Sequence, residues 1–172
     1  MNNNHNNEKS IYSNNAENSL ITINYKDFNV INKDLMYIDR NEYFKNKYII
    51  GLLFTASWCP PCKDFELKLK EFYKEIRSKY DDQEQFCIIQ ISSEKNEREF
   101  KESIEDVDWI ILPFDSPFIN DLVETLNLKK IPSFYLLNNK GNVVADNCRK
   151  DIEDNEASEV WNNWANIINY LN

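Results

Sequence analysis

The sequence is poor in the residues that hold structural metals. It contains one histidine, His5, and four cysteines, of which only two are close together. A structural zinc site usually takes four ligands, commonly two Cys pairs or a Cys pair and a His pair. Cys87 lies in an apolar run, Cys148 stands alone after a predicted hairpin, and His5 belongs to a polar segment. A zinc site is therefore the weaker interpretation, and we expect no metal.

The sequence also lacks long apolar segments and an excess of positive charge. No run approaches the roughly 20 apolar residues of a membrane-spanning helix, and the first ten residues, MNNNHNNEKS, contain no hydrophobic signal region. The net charge of −9 argues against a surface that binds phosphates. We expect a monomer of the cytoplasm or nucleus that binds neither membranes nor nucleic acids.

A dithiol motif is the most informative feature that the sequence does contain. Residues 58–63 read WCPPCK, and two cysteines three positions apart form a pair that can open and close. The apolar run over residues 48–56 predicts a buried strand, and the apolar spacing that follows predicts a helix over 60–80. This order places Cys59 at a helix N-terminus, where free backbone N–H groups and the helix dipole favour a thiolate. The motif thus predicts thiol–disulfide exchange.

Each residue of the motif suits a part of that chemistry. A lowered pKa would make Cys59 the nucleophile, because the thiolate is the reactive form. Cys62, one turn further and more enclosed, would then resolve the mixed disulfide. Pro60 and Pro61 fit the first turn of a helix, where a missing N–H loses no helical bond. A permanent structural disulfide is disfavoured, because closing so short a loop removes little conformational entropy from the unfolded chain.

The rest of the chain predicts one α/β domain after a polar tail. Residues 1–19 are Asn-rich and predict a disordered tail, and residues 20–172 predict one domain, since the whole chain is 42% hydrophobic and can bury one core. Strands are predicted at 20–23, 48–56, 86–92, 109–114, 133–138 and 142–146. Helices are predicted at 60–80, 95–105, 116–126, where Ser116 is the N-cap and Pro117 lies in the first turn, and 157–171. Strands separated by helices, followed by a hairpin and a helix, describe a central mixed sheet with helices on both faces.

Four sequence blocks in this order resemble the tryparedoxin and nucleoredoxin branch of the thioredoxin superfamily. They are ASWCPPCK at 56–63, ISSE at 91–94, WIILPF at 109–114 and IPSF at 131–134. The resemblance covers about residues 48–161 and implies the thioredoxin fold. It also implies that Cys59 attacks the substrate and that Cys62 resolves the mixed disulfide.

The same resemblance implies a substrate-binding surface around the dithiol. Ile131 and Pro132 match the family's cis-proline loop, whose backbone pairs with the substrate chain; from sequence alone an ordinary trans bond is the commoner state. Trp58 would shield the dithiol and, with Pro60 and Pro61, offer an apolar docking surface, although a Trp before a turn is equally consistent with a core position.

Two further residues have both a functional and a structural interpretation. Arg149 matches an arginine that related tryparedoxins carry after the hairpin, and its guanidinium would grip a substrate carboxylate. An arginine exposed to solvent is the alternative. Trp109 either contacts the substrate or packs in the core.

The chain also departs from its relatives at two positions. Leu53 stands where many thioredoxins have a buried aspartate, and Ser93 stands where tryparedoxins usually have a tryptophan. Proton transfer would then use water, Glu94 or another carboxylate. Because Ser93 replaces this tryptophan, the resemblance is a weaker argument that the chain uses the same low-molecular-weight dithiol as the tryparedoxins.

These patterns predict a protein-disulfide reductase that needs neither metal nor organic cofactor, because the two cysteines carry the electrons. Oxidised proteins such as peroxidases would be the substrates, and a thiol or a reductase would be the electron donor. The alternative is a redox-responsive interaction module that binds a partner around Trp58 and Pro132 with little turnover.

The choice between a redox pair and a zinc site can be tested by thermal melting. We expect EDTA to leave the melting temperature unchanged and dithiothreitol to shift it slightly, because an aromatic-rich core holds the domain. Loss of a structural zinc would instead remove a large share of the folding free energy. Two results together would contradict the redox interpretation. They are a large fall in the melting temperature with EDTA and about one zinc per chain by elemental analysis.

Overall fold

The computed structural model describes residues 20–171, and the predicted polar tail, residues 1–19, lies outside the described residues. Within the described range, one sheet of five strands runs in the order β3-β2-β1-β4-β5. The strands are β1 (Ile49–Thr55), β2 (Phe86–Ser92), β3 (Ile110–Ile111), β4 (Ser133–Asn138) and β5 (Val143–Ala145). β1, β2 and β3 are parallel, whereas β4 is antiparallel to β1 and β5 to β4.

Helices cover both faces of this sheet, which confirms the predicted layer order. They are α1 (Arg40–Phe44), α2 (Pro60–Lys79), α3 (Glu97–Ile104), α4 (Phe118–Thr125), α5 (Cys148–Asp154) and α6 (Ala157–Leu171). The buried side chains of α2, α3, α5 and α6 pack on one face of the sheet. Those of α1, α4 and a short 3₁₀ turn at Tyr25–Asp27 pack on the other.

The central strands are apolar along their whole length because both of their faces are covered. Every residue of β1 and β2 is buried, as expected for parallel strands between two helical layers. Successive residues alternate between the two cores: Leu53 packs towards α2, and Leu52 packs towards α1 and α4. Burial on both faces holds β1 in place, and the chain leads from its end directly into the dithiol motif.

Aromatic rings fill the core on the α2 face. Trp164 of α6 is fully buried and makes ring contacts with Phe72 of α2, Phe86 of β2 and Phe134 of β4, with centroids 5.3–6.0 Å apart. The contacts with Phe72 and Phe86 are edge-on, an arrangement that contributes about 0.5–1.5 kcal/mol per pair beyond the area that it buries. One side chain thus joins two sheet strands to two helices.

The first predicted strand, residues 20–23, is wrong. Only Thr22 forms an isolated bridge, to Asn142 beside β5. The backbone N–H of Ile23 donates to the carbonyl of Gly141, and the chain then turns at once into the 3₁₀ helix. The apolar residues of this segment are therefore used for docking against the β4–β5 turn rather than for a sheet ladder.

Two short helices were missed, and two helices begin later than predicted, of which α3 begins at Glu97 rather than at residue 95. In α1 the Asp39 carboxylate caps the helix by accepting from the N–H groups of Asn41 and Glu42. In α5 only Cys148 and Ile152 are buried, which is too few for a periodic apolar face. Helix α4 begins at Phe118 with Pro117 at the N-cap position, one residue after the predicted cap at Ser116.

Gly141 tests how the β4–β5 turn holds the start of the domain. Its φ is +83°, and a Cβ built on it would lie 2.1 Å from the Ile23 carbonyl oxygen. We expect Gly141→Ala to lower the free energy of unfolding in urea by about 1–3 kcal/mol, because a non-glycine residue is strained in this region. Lys129→Ala, at an exposed position after α4, serves as the control. Equal stability of the two variants would contradict this assignment.

Candidate active site

The dithiol lies where β1 ends and α2 begins. Cys59 is the N-cap residue of α2, and Pro60 and Pro61 occupy its first two positions, as the sequence predicts. The Cα atoms of Cys59 and Cys62 are 5.2 Å apart, and their sulfur atoms are at disulfide distance. The backbone N–H groups of Cys62 and Lys63 donate to the Cys59 carbonyl oxygen at 3.1 and 3.3 Å, which closes the first helical turn over the pair.

The two cysteines differ in their exposure to solvent. Cys59 is 7% exposed, whereas Cys62 is 0% exposed. Pro60 and Pro61 are both exposed beside them. Of the two cysteines, Cys59 is therefore the one that a molecule approaching from solvent reaches first. At the helix N-terminus, a thiolate on Cys59 is favoured by the dipole and by N–H groups that have no helical partner.

Trp58 stands beside the dithiol with half of its surface exposed, at 50%. Its indole Nε1 donates to the Ser93 carbonyl at 2.8 Å, and the Ser93 N–H donates to the Thr55 carbonyl at 2.9 Å. The ring is thus held against the loop that follows β2. A flat apolar surface with one fixed polar end is suited to docking, and the core alternative for Trp58 does not hold.

Glu94 fixes the turn that precedes the first cysteine. Its carboxylate accepts hydrogen bonds from the Ser57 backbone N–H at 2.8 Å and from the Ser57 hydroxyl at 2.6 Å. Both bonds use an ionised acceptor and are therefore stronger than neutral ones. The sequence already placed Glu94 among the candidate carboxylates, and the structure brings it to this turn.

The loop before β4 covers the other side of the pair. The Ile131–Pro132 peptide bond is cis, which confirms that prediction. Ile131 packs against Ala56, Cys59 and Cys62, and Pro132 is buried. The antiparallel pairing of Phe54 with Ser133 brings this loop beside the end of β1. A segment 70 residues away in sequence thereby becomes a wall of the site.

Trp109 is not part of this site, so its predicted contact with substrate is corrected. Its side chain is 3% exposed, and its indole Nε1 donates to the buried side-chain oxygen of Gln90 at 2.8 Å. Its ring packs against Tyr73 with centroids 5.8 Å apart. The tryptophan belongs to the core because its only polar atom finds a partner on β2.

Arg149 lies on α5, beside the helix that carries the dithiol. Its Nε is paired with the Glu153 carboxylate at 2.9 Å, and its guanidinium lies 5.9 Å from the centre of the Phe65 ring. It is half-buried rather than freely solvated. A role in gripping a substrate carboxylate would require exchange of this intrahelical partner, and it stays a prediction.

Sequence reasoning did not single out Glu66, which the structure places close to the dithiol. Its carboxylate accepts a hydrogen bond from the hydroxyl of Thr55, the last residue of β1. Burial raises the pKa of Glu66, and the Thr55 hydrogen bond and the Lys70 charge offset part of this effect. The signal in the sequence was its position four residues after Cys62, which is the next turn on the same helix face.

The other two cysteines lie in the core and take no part in the pair. Cys87 and Cys148 are free and fully buried. Burial raises the pKa of Cys87 to about 12 and holds the pKa of Cys148 well above its ordinary value. Among residues 20–171, no group of three or more His, Cys, Asp or Glu is placed to hold a metal ion. None of the helices described there is long and apolar enough to cross a membrane.

Comparison with known proteins places this arrangement among redox proteins. Residues 46–143 match a family model described as thioredoxin-like. A probable nucleoredoxin 3 of Oryza sativa subsp. japonica is 34% identical over 107 residues, which are 62% of this chain and 22% of that protein. The tryparedoxin of Trypanosoma brucei brucei is 33% identical over 118 residues, which are 66% of this chain and 79% of that protein. The chain spans 17–25% of the nucleoredoxins of rice and Arabidopsis thaliana that it matches.

Solved structures show the same fold. A thioredoxin from Wuchereria bancrofti superposes with a TM-score of 0.70 at 27% identity, covering 84% of this chain and 97% of its own. Tryparedoxin II from C. fasciculata superposes with a TM-score of 0.66 at 27% identity, covering 76% and 85%. The predicted thioredoxin fold is therefore confirmed.

Limiting alkylation tests the difference between the cysteines. We expect iodoacetamide at neutral pH to modify reduced protein first at Cys59, because it is the more exposed cysteine of the pair and its thiolate is favoured by the helix N-terminus. Cys62 should react slowly, and Cys87 and Cys148 only after unfolding. Peptide mapping by mass spectrometry reads the order of labelling. Early labelling of Cys87 would contradict the assignment.

Proposed function

Because the chain belongs to the thioredoxin-like family of oxidoreductases, with tryparedoxins and nucleoredoxins as relatives, we propose that it reduces disulfide bonds in other proteins. One observation carries the proposal. The first cysteine of a pair at disulfide distance is the N-cap residue of α2, and Ile131 of the cis-proline loop packs against the pair. Oxidised proteins, including peroxidases, are the proposed substrates.

The reaction proceeds in two exchanges. The Cys59 thiolate attacks one sulfur of the substrate disulfide, so that a mixed disulfide forms and the other substrate sulfur leaves as a thiolate that takes a proton. The Cys62 thiol then loses its proton and attacks the Cys59 sulfur. The Cys59–Cys62 disulfide forms, and the second substrate thiol is released. Two electrons pass from the pair to the substrate, and a thiol or a reductase returns them.

The surface around the pair suits an extended polypeptide. Trp58, Pro60 and Pro61 are exposed on one side of Cys59, and Ile131 packs on the other. Between them, Cys59 is only 7% exposed. A flexible segment carrying a disulfide reaches this sulfur more readily than a disulfide enclosed in a folded core. We infer that exposed disulfides on loops or chain ends are the preferred substrates.

The half-exposed Trp58 also supports the second candidate function. An exposed tryptophan beside two prolines is an apolar contact surface, and such a surface can hold a partner without rapid turnover. In that case oxidation of the pair would change the affinity for the partner, and the protein would act as a redox-responsive interaction module.

Reduction of insulin separates these two functions. With dithiothreitol as electron donor, we expect the protein to accelerate insulin precipitation well above the rate with dithiothreitol alone. Cys59→Ser should abolish the acceleration, and Cys87→Ser should leave it unchanged. Rates equal to the background for wild-type protein, together with an intact fold, would favour the interaction module.

Trapping of substrates tests the separate roles of the thiols. We expect Cys62→Ser to accumulate mixed disulfides through Cys59, because the second exchange is blocked. Cys59→Ser should trap few, because the exposed nucleophile is gone. Non-reducing electrophoresis before and after dithiothreitol measures both. Equal trapping by the two variants would show that the roles are assigned wrongly.

A further inference from the structure

Two structural features place Glu66 beside the dithiol. It lies four residues after Cys62 in α2, so the two side chains are neighbours on one helix face. Its carboxylate also accepts the hydrogen bond of the Thr55 hydroxyl. Thr55 is buried, and the next residue, Ala56, packs against both cysteines. The carboxyl group is thus held between the end of β1 and the helical turn that carries Cys62.

The charged groups around Glu66 come from two elements. Lys63 and Lys70 lie on α2 with it and lower the pKa of its carboxyl group, and Glu94, on the loop after β2, raises it. Burial is the largest effect, and it also raises the pKa. A carboxyl group of this kind exchanges its proton closer to neutral pH than an exposed glutamate does.

Two other positions near the dithiol are less suited than Glu66 to exchange a proton with Cys62. Leu53 is fully buried and apolar, so β1 supplies no carboxylate there. Glu94 is occupied by two hydrogen bonds from Ser57, on the side of the Trp58 ring. Among the described residues, Glu66 is the carboxylate that both shares a helix face with Cys62 and is hydrogen-bonded to the end of β1.

We propose that Glu66 accepts the proton of the Cys62 thiol in the second exchange, an inference that rests on the two-step reduction proposed above. The S–H bond of Cys62 breaks, and its proton passes to the Glu66 carboxylate directly or through one water. The electron pair left on the Cys62 sulfur forms the bond to the Cys59 sulfur. The Cys59–substrate bond breaks, and the departing substrate thiolate takes its proton from solvent. When the pair is reduced again, Glu66 returns its proton to the Cys62 sulfur.

The second exchange can be measured without a protein substrate. Reduced full-length protein mixed with the aromatic disulfide dithionitrobenzoate releases one coloured thiolate when Cys59 attacks. It releases a second when Cys62 attacks the Cys59 sulfur and displaces the aromatic thiolate from the mixed disulfide. Stopped-flow absorbance separates the two phases, and Cys62→Ser identifies the second by abolishing it.

We expect Glu66→Gln to slow the second phase at pH 6–7 on the order of 10²-fold, because a general base is lost, while the first phase is unchanged. The difference between the second-phase rates of Glu66→Gln and wild type should narrow as the pH rises, because hydroxide then removes the Cys62 proton without a carboxylate. Glu71→Gln removes the same charge from an exposed site on the same helix. This control should follow the wild type in both phases.

Two further variants should move the pH profile in opposite directions. Thr55→Val removes a hydrogen bond that lowers the pKa of Glu66, so the rise of the second-phase rate should shift to higher pH. Glu94→Gln removes a negative charge that raises the pKa of Glu66, so the rise should shift to lower pH. A side chain needed only for packing would not produce opposite shifts.

Equal second-phase rates and pH profiles for Glu66→Gln and wild type would overturn the proposal. So would a variant in which both phases slow equally and the melting temperature falls, because that pattern shows a structural role. Wild-type protein that closes the pair quickly but reduces no insulin would contradict the proposed substrate class. The comparison of Glu66→Gln with wild type would still decide the role of Glu66.

Discussion

The burial of β1 on both faces is the constraint on which the site depends. Its seven residues lie between two helical layers and two neighbouring strands, so the strand has neither an exposed face nor an unpaired edge. Because β1 stops at Thr55, the next residues must turn at the sheet edge and begin α2 at the cysteine pair. The ends of β2 and the start of β4 reach the same edge. They supply Ser93 and Glu94 on one side and Ile131 on the other.

The central part of the fold could be predicted because its elements are long and uniformly buried. The strand at 86–92 and the helix at 157–171 have the predicted bounds, since a continuous apolar run and a helical apolar face are both visible in one dimension. Helix α5 was missed because it buries only Cys148 and Ile152. The segment at 20–23 was misassigned because apolar residues that dock on a turn have the same pattern as a short strand.

The candidate site also contains residues whose positions local sequence predicts and residues whose positions depend on tertiary contacts. The positions of Cys59 and Cys62 follow from local sequence, since a strand, a turn and two prolines define the start of a helix. The burial of Trp109 does not, because it depends on its hydrogen bond to Gln90 on β2. For Glu66 the sequence shows only the helical spacing from Cys62 and not the hydrogen bond that holds its carboxylate. Its partner Thr55 is eleven residues earlier, on a strand, and the pair forms only when α2 packs back on the sheet.

The antiparallel pairing of β4 with β1 has a consequence for biosynthesis. Both cysteines are made before residue 65, whereas Ile131, which covers them, and β4, which positions it, follow about 70 residues later in the chain. A ribosome that adds about 5–20 residues per second needs several seconds for this interval. Until then the nascent chain carries two thiols without their wall and without a completed sheet. The difference in burial between Cys59 and Cys62 is therefore a property of the finished domain and is absent from its growing N-terminal half.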